Sequence, residues 1–199
     1  IIPATEEFLS ELRRICDQRD MLLVFDCVQC GCGRTGKLFA WQNYGVRPDV
    51  MTLAKALGGG IPLSAAVAYE RAADVLCPGE HASTFGGNPV ASALCSVVLD
   101  ELAGGLADEA AAKGEYLKAG LRKIAEKHPD KCGEVRGLGL MVGMELKVAP
   151  RTVIDKAREK GVLLSSSVYT VRRFVPPLII SYDELDKGLE TVDQVLSEM

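Results

Sequence analysis

The stretch Val50-Met51-Thr52-Leu53-Ala54-Lys55-Ala56-Leu57-Gly58-Gly59-Gly60 runs from an apolar strand into a lone lysine and then into three glycines. A short apolar run closed by glycine reads as a buried strand. Upstream, Leu22-Leu23-Val24-Phe25 is a second such run, and it ends on Asp26. Burying an ammonium costs free energy, so a lysine at a buried strand end is pushed toward its neutral, nucleophilic form. The glycines beside it clear space for a ligand. Taken singly, each residue has a plainer reading. Lys55 could be a solvated loop residue and Asp26 a helix cap or turn former.

Taken together, an amine and a carboxylate at the ends of two buried strands have what pyridoxal phosphate chemistry needs. The lysine can hold the aldehyde as a Schiff base, and the aspartate can keep the ring nitrogen protonated so that the ring accepts electrons.

Around these strands the hydrophobic periodicity predicts a helix from Thr5 to about Arg19, with Phe8, Leu12 and Ile15 on its inner face. A third strand is expected at Ala65–Tyr69. Asn88 can cap the next helix, with Pro89 at its first position and Ala91, Leu94, Val98 and Leu102 turned inward. Gly104-Gly105 should break it, and a further helix to about Lys127 buries Leu117, Leu121 and Ile124. Past Lys131, residues from Val135 to Leu146 read as strand with glycine breaks, followed by a helix from Thr152 to Gly161. Val162–Leu164 and Arg173–Val175 read as short strands. A capping box, Ser181-x-x-Glu184, opens a last helix that buries Leu185, Leu189, Val192 and Leu196. The order implies an α/β fold. A mostly parallel sheet with helices occupies residues 1–104, a connecting helix 105–130, and a small α+β domain 131–199.

Composition narrows the classes. The chain of 199 residues is 48% hydrophobic and 25% charged, an ordinary globular balance. Its net charge of −4, with no basic stripe, argues against a nucleic-acid partner. No apolar run approaches the roughly 20 residues that span a bilayer, so no membrane role is expected. Seven cysteines without a disulfide framework suggest reduced thiols in a cytoplasmic setting. Cys27-x-x-Cys30 has the spacing of a redox pair or of half a zinc site. A zinc site needs a second ligand pair, and Cys95, Cys132, His81 and His128 are too scattered to supply one, so no metal is expected.

Two motifs near Asp26 imitate nucleotide sites. Gly31-Cys32-Gly33-Arg34-Thr35-Gly36 fits the dinucleotide pattern, but it leads into a short aromatic stretch, Phe39 to Tyr44, and Asp49 begins the second strand where an acid should end it. The same loop with Lys37 resembles a phosphate loop, yet Leu38 stands where a magnesium-binding hydroxyl is required. A glycine loop giving clearance beside a ligand is the simpler reading.

Four blocks in this order carry a resemblance over the whole chain. They are Phe25-Asp26-Cys27-Val28-Gln29-Cys30-Gly31 through Gly36, Leu53 to Gly60, Ser83-Thr84-Phe85-Gly86-Gly87-Asn88-Pro89, and Arg173-Phe174-Val175-Pro176-Pro177-Leu178. The chain resembles the class-III aminotransferases of PLP fold type I, leaning toward the branch that acts on acetylornithine and ornithine. The resemblance implies Lys55 as the Schiff-base lysine and proton carrier, and Asp26 as partner of the pyridinium nitrogen. It implies Val28 against one face of the ring, Gln29 at the ring's phenolic oxygen, and Thr84 donating to the phosphate held by a neighbouring copy in a homodimer. Arg173 would hold the substrate carboxylate. The implied reaction moves an amino group from acetylornithine or a similar ω-amine donor to 2-oxoglutarate, in arginine biosynthesis. Ornithine or 4-aminobutyrate are alternative donors, and an inactive piece with a structural role is the alternative of another class. Cys27 departs from the family, which usually has glutamate there. The family's phosphate loop, ring-stacking aromatic and a further substrate arginine have no counterpart. With the opening at Ile1, that leads us to expect the C-terminal portion of a longer aminotransferase.

Overall fold

The computed structural model describes residues 1–165 and 171–199. They divide into two compact units, one of Ala4–Ala107 and one of Asp108–Met199 joined by Ile1–Pro3.

In the Ala4–Ala107 unit, helix α1 (Glu6–Gln18) starts from Thr5, whose hydroxyl accepts the Phe8 N–H at 3.2 Å. Glu6 and Glu7 in its first turn suit the positive end of the helix dipole. The face it buries carries Leu9 and Cys16, with Leu12 partly buried, packed with Leu23 and Val46. Phe8 is not on it: that ring is 58% exposed. The buried face runs through Leu9, Leu12, Arg13 and Cys16, about one position from the expected register, with Arg13 reaching Asp49 at 2.8 Å and Ile15 half-buried.

Strands β1 (Val24–Asp26), β2 (Val50–Leu53) and β3 (Ala65–Ala68) form a sheet in that order. β1 and β2 are parallel, whereas β2 and β3 are antiparallel. The sheet of this unit is therefore mixed. The reason is length, since residues 54–64 are too few for the crossover that a parallel return requires. β1 lies at the edge of this sheet, and Leu22 and Val24 are 43% and 54% exposed, so the Leu22–Phe25 run is not buried on both faces. Asp49 ties the entry to β2 to its surroundings, accepting from the Leu23 N–H at 2.7 Å, Arg13 at 2.8 Å and Arg71 at 3.1 Å. Burial works to raise its pKa, but these three donors hold the carboxyl below its ordinary value.

Helix α2 (Pro89–Glu101) begins on Asn88, whose side chain accepts from the Val90 and Ala91 N–H groups at 3.0 and 3.1 Å. Ala91 is buried and Leu94 and Val98 are half-buried, as the periodicity predicts. The break falls at Gly105, whose φ of 124° lies outside the helical region. By length and composition the helical stretch Pro89–Lys127 is apolar enough to cross a membrane, which counting unbroken apolar runs does not reveal because its Ala, Leu and Val are interleaved with polar residues and glycines. The Gly105 kink divides it into two helices that belong to different units.

The other unit is α+β. Helix α3 (Ala107–Lys127) buries Leu117, Leu121 and Ile124. These pack in one core with an antiparallel sheet of β4 (Cys132–Leu138), β5 (Met141–Leu146) and β6 (Val171–Phe174), in that order. Helices α4 (Pro150–Glu159) and α5 (Tyr182–Ser197) add Val153, Ala157, Leu185, Val192, Val195 and Leu196 to that core. The Val135–Leu146 run is a hairpin and not one strand, turning at Gly139 (φ 49°). Val162–Leu164 forms no strand. Leu163 is 84% exposed, and beyond it Ser165 makes a lone bridge to Arg173. The capping box on α5 forms as expected, with Glu184 returning to the Ser181 N–H at 2.9 Å.

Candidate active site

Parallel pairing of β1 with β2 brings Asp26 opposite Thr52. Neighbouring strands lie about 4.8 Å apart, so the carboxyl ends of these two strands present one shared edge. The Asp26 carboxylate is oriented from both sides. Its Oδ1 accepts the Val28 N–H at 3.0 Å and the Thr52 hydroxyl at 3.3 Å. That leaves the second carboxylate oxygen for a donor outside the sheet. Asp26 is exposed, so a ligand can reach it.

Lys55 stands three residues beyond Thr52. Its backbone is left-handed, with φ 49°, after an extended Ala54. A non-glycine residue in that region is uncommon and costs of order 1 kcal/mol or more. Here it turns the chain sharply out of β2 into the Gly58–Gly60 bend, where Gly59 and Gly60 also have positive φ. The lysine is exposed and makes no ion pair among the described residues. The burial inferred from the apolar run belongs to Met51 and Leu53 and not to the amine, because the turn leaves the sheet before Lys55.

The loop after β1 continues the sheet's bonding, since the Cys27 N–H donates to the Thr52 carbonyl at 3.0 Å. It then coils through residues 28–36, with the Gly31 N–H returning to the Cys27 carbonyl at 2.9 Å. A Cβ on Gly31 would stand 2.7 Å from both the Cys27 carbonyl oxygen and Leu53 Cδ2. Glycine there is what lets the loop lie on β2. The glycines open no helix; a short 3-10 turn, Ala40–Asn43, comes next. The nucleotide-binding resemblance of this loop therefore fails on structure as well as on pattern. Among the described residues, no three His, Cys, Asp or Glu side chains are grouped to hold a metal ion.

Asp26, Val28, Gln29 and Lys55 thus gather at the carboxyl ends of β1 and β2, with Val28 half-buried and Gln29 exposed. Thr84 lies in the same unit, exposed on the loop before α2. Arg173 lies in the other unit, on β6 opposite Gly143. Strand alternation turns Arg172 and Phe174 into the core and Arg173 to the other face. Arg172 is 2% exposed, its Nη1 donates to the Ser165 carbonyl at 3.4 Å, and burial lowers its pKa. Sequence reasoning missed Thr52. The signal was present in retrospect, as a hydroxyl inside an otherwise apolar strand three residues before the lysine.

A family model described as aminotransferase class-III matches residues 1–196. The acetylornithine aminotransferase of Caldanaerobacter subterraneus subsp. tengcongensis is 49% identical over 198 residues, covering 98% of this chain and 50% of that protein. The acetylornithine aminotransferase of Methanocaldococcus jannaschii is 45% identical, covering 98% of this chain and 49% of that protein. Among solved structures, the N-acetylornithine aminotransferase of Stenotrophomonas maltophilia superposes with a TM-score of 0.88 at 38% identity, over 100% of this chain and 53% of that one. An ornithine aminotransferase of Plasmodium yoelii gives 0.92 at 34% identity, over 100% and 54%. The chain spans about half the length of the curated relatives it matches.

Proposed function

The chain belongs to the class-III aminotransferases, and from that premise we propose that the protein is a pyridoxal phosphate-dependent transaminase whose lysine and aspartate this chain supplies. The observation that carries the reading is Asp26 and Lys55 at the ends of adjacent parallel strands. An oriented carboxylate and a reachable amine fit the two ends of a pyridoxal ring, its nitrogen and its aldehyde.

When bound, pyridoxal phosphate supplies an electron sink for the bonds at the substrate's Cα. The chain's residues do the rest. Asp26, fixed by the Val28 N–H and the Thr52 hydroxyl, keeps a proton on the ring nitrogen. Lys55 would be the covalent anchor for the aldehyde, and its Nζ, when free, would take up the proton released from the substrate's Cα. Val28 offers a stiff branched surface to the ring face, and Gln29 a hydrogen bond to the ring oxygen. Arg173 receives the substrate carboxylate through its planar fork. Thr84, on an exposed loop, reaches the phosphate of a second copy, so the working unit is a homodimer.

The donor we assign is acetylornithine or a similar ω-amine, the acceptor 2-oxoglutarate, and the setting arginine biosynthesis in a reducing cytoplasm. The names of the relatives support the donor. Ornithine is the second reading, supported by the Plasmodium yoelii neighbour. Comparing kcat/KM for acetylornithine, ornithine and 4-aminobutyrate with 2-oxoglutarate decides among them. A clear preference for acetylornithine is expected, and a preference for either other amine overturns the assignment.

A further inference from the structure

Cys27 and Cys30 flank Val28 and Gln29 on one coiled turn, closed by the bond from the Gly31 N–H to the Cys27 carbonyl. A turn closed by such a bond has helical dimensions, which put Cα atoms three residues apart at about 5 Å, within the roughly 4.4–6.8 Å that a disulfide accepts. The Cβ atoms, about 5–6 Å apart on such a turn, must close to about 3.5–4.5 Å. Cys27 is 3% exposed, while Cys30 is half-buried and open to a small reagent. The Cys30 thiol also lies 3.8 Å from the Asp26 carbonyl oxygen. We infer that Cys27 and Cys30 form a reversible dithiol–disulfide site, oxidised by small-molecule disulfides, that is mechanically coupled to Asp26.

The chemistry of the two thiols is asymmetric in the way exchange requires. Interaction between the two thiols lowers the Cys30 pKa to about 7 and raises that of Cys27, to which burial adds. Cys30, the more exposed of the two, is the attacking thiolate and Cys27 the resolving group. Cys32 is 2% exposed and pushed up to about 11 by burial and by Cys95, which leaves it inert. In the reaction, the Cys30 thiolate attacks one sulfur of the external disulfide and expels one thiolate. Cys27 gives its proton to solvent, attacks Cys30 Sγ, and expels the second. The pair loses two electrons and two protons, and the external disulfide is reduced to two thiols.

The link to the site is the Val28 N–H. It lies between the two cysteines and holds Asp26 Oδ1 at 3.0 Å. Drawing the sulfurs to a bond of about 2.05 Å reshapes the turn that carries this donor. The coupling to catalysis rests on the function proposed above; the disulfide itself does not.

The test is incubation of the purified full chain with oxidised glutathione, alkylation of the remaining thiols, and mass mapping of the tryptic peptide Asp20–Arg34. The expected result is loss of two alkylation sites at Cys27 and Cys30, reversed by reductant and abolished by Cys30→Ser, while Cys32→Ser and Cys95→Ser retain it. A peptide that keeps all three thiols, a stable glutathione adduct at Cys30, or pairing through Cys32 overturns the site. Turnover of the holoenzyme is measured beside it, and should fall on oxidation and recover on reduction. If the disulfide forms and turnover is unchanged, the coupling to Asp26 is overturned. If the reduced enzyme has no transaminase activity, the proposed function fails while the mapping still reads the thiol chemistry.

Discussion

Thr52 donates its hydroxyl to Asp26 across the β1–β2 pair at 3.3 Å, and the same carboxylate oxygen accepts the Val28 N–H at 3.0 Å. One strand neighbour and one loop amide therefore fix the orientation of the acid that the proposed chemistry depends on.

Removing the charge while keeping the shape tests the acid directly. Asp26→Asn should still bind cofactor but lose about a hundredfold to a thousandfold in kcat, the range for a preorganised electrostatic group of this kind. Steady-state kinetics with cofactor content measured in parallel checks it. Near wild-type turnover would remove Asp26 from the role.

Thr52→Val keeps the β-branched shape and deletes the donor. A hydrogen bond to a charged group contributes about 1.5–3 kcal/mol, and part of it is retained through Val28. A fall in kcat of about tenfold is expected, with little change in the melting midpoint. Unchanged kcat would mean that the loop amide alone orients Asp26.

Two glycines of the Asp108–Met199 unit should respond oppositely to alanine. A Cβ on Gly114 would meet the Gly139 carbonyl oxygen at 2.2 Å, so α3 could not keep its place against the β4–β5 turn. Gly114→Ala should cost about 3 kcal/mol. Gly188, inside α5, has nothing among the described residues within 4 Å of such a Cβ beyond its chain neighbours and its own helix backbone. Gly188→Ala should stabilise by about 0.5–1 kcal/mol through the lost flexibility of the unfolded chain. Urea denaturation of both variants reads the two signs.

Asp193 predicts an acid limb. Its carboxylate accepts from Lys127 at 2.6 Å and His128 at 2.8 Å, and the Lys127 bond, above all, holds its pKa below the ordinary value. A depressed carboxyl contributes stability that is present above its unfolded pKa, about 3.9, and is lost as pH falls through the lower folded value. The pair is partly exposed, so the contribution is about 1 kcal/mol or less. Wild type should exceed Asp193→Asn in stability at pH 6, and the difference should close below about pH 4. A difference that persists in acid would contradict this.

What could be read from the sequence was whatever local chemistry decides. Asn88-Pro89, Ser181-x-x-Glu184 and the Gly104-Gly105 break are each settled by a few neighbouring residues, and the structure places them where the pattern does. Tertiary partners decided the rest. Phe8 and Leu9 each continue an apolar row at helical spacing, and packing against Leu23 and Val46 takes Leu9. The antiparallel β3 results from a connection too short for crossover, although Ala65–Ala68 has no residue that states a direction. At the site, Asp26 and Lys55 were visible as chemistry interrupting apolar runs. Thr52 was not, because its value comes from standing opposite Asp26 across a sheet. Nor was the exposure of Lys55, which depends on a left-handed turn at a residue whose type gives no sign of it.

The most direct measurement is borohydride reduction of the pyridoxal phosphate-bearing protein, isolated at its native length, with peptide mapping of the product. Reduction should abolish the visible absorbance and leave the pyridoxyl group on Lys55, with Lys55→Ala unable to retain any. A label on Lys37 or another lysine, or no fixed label at all, would contradict the assignment of this site.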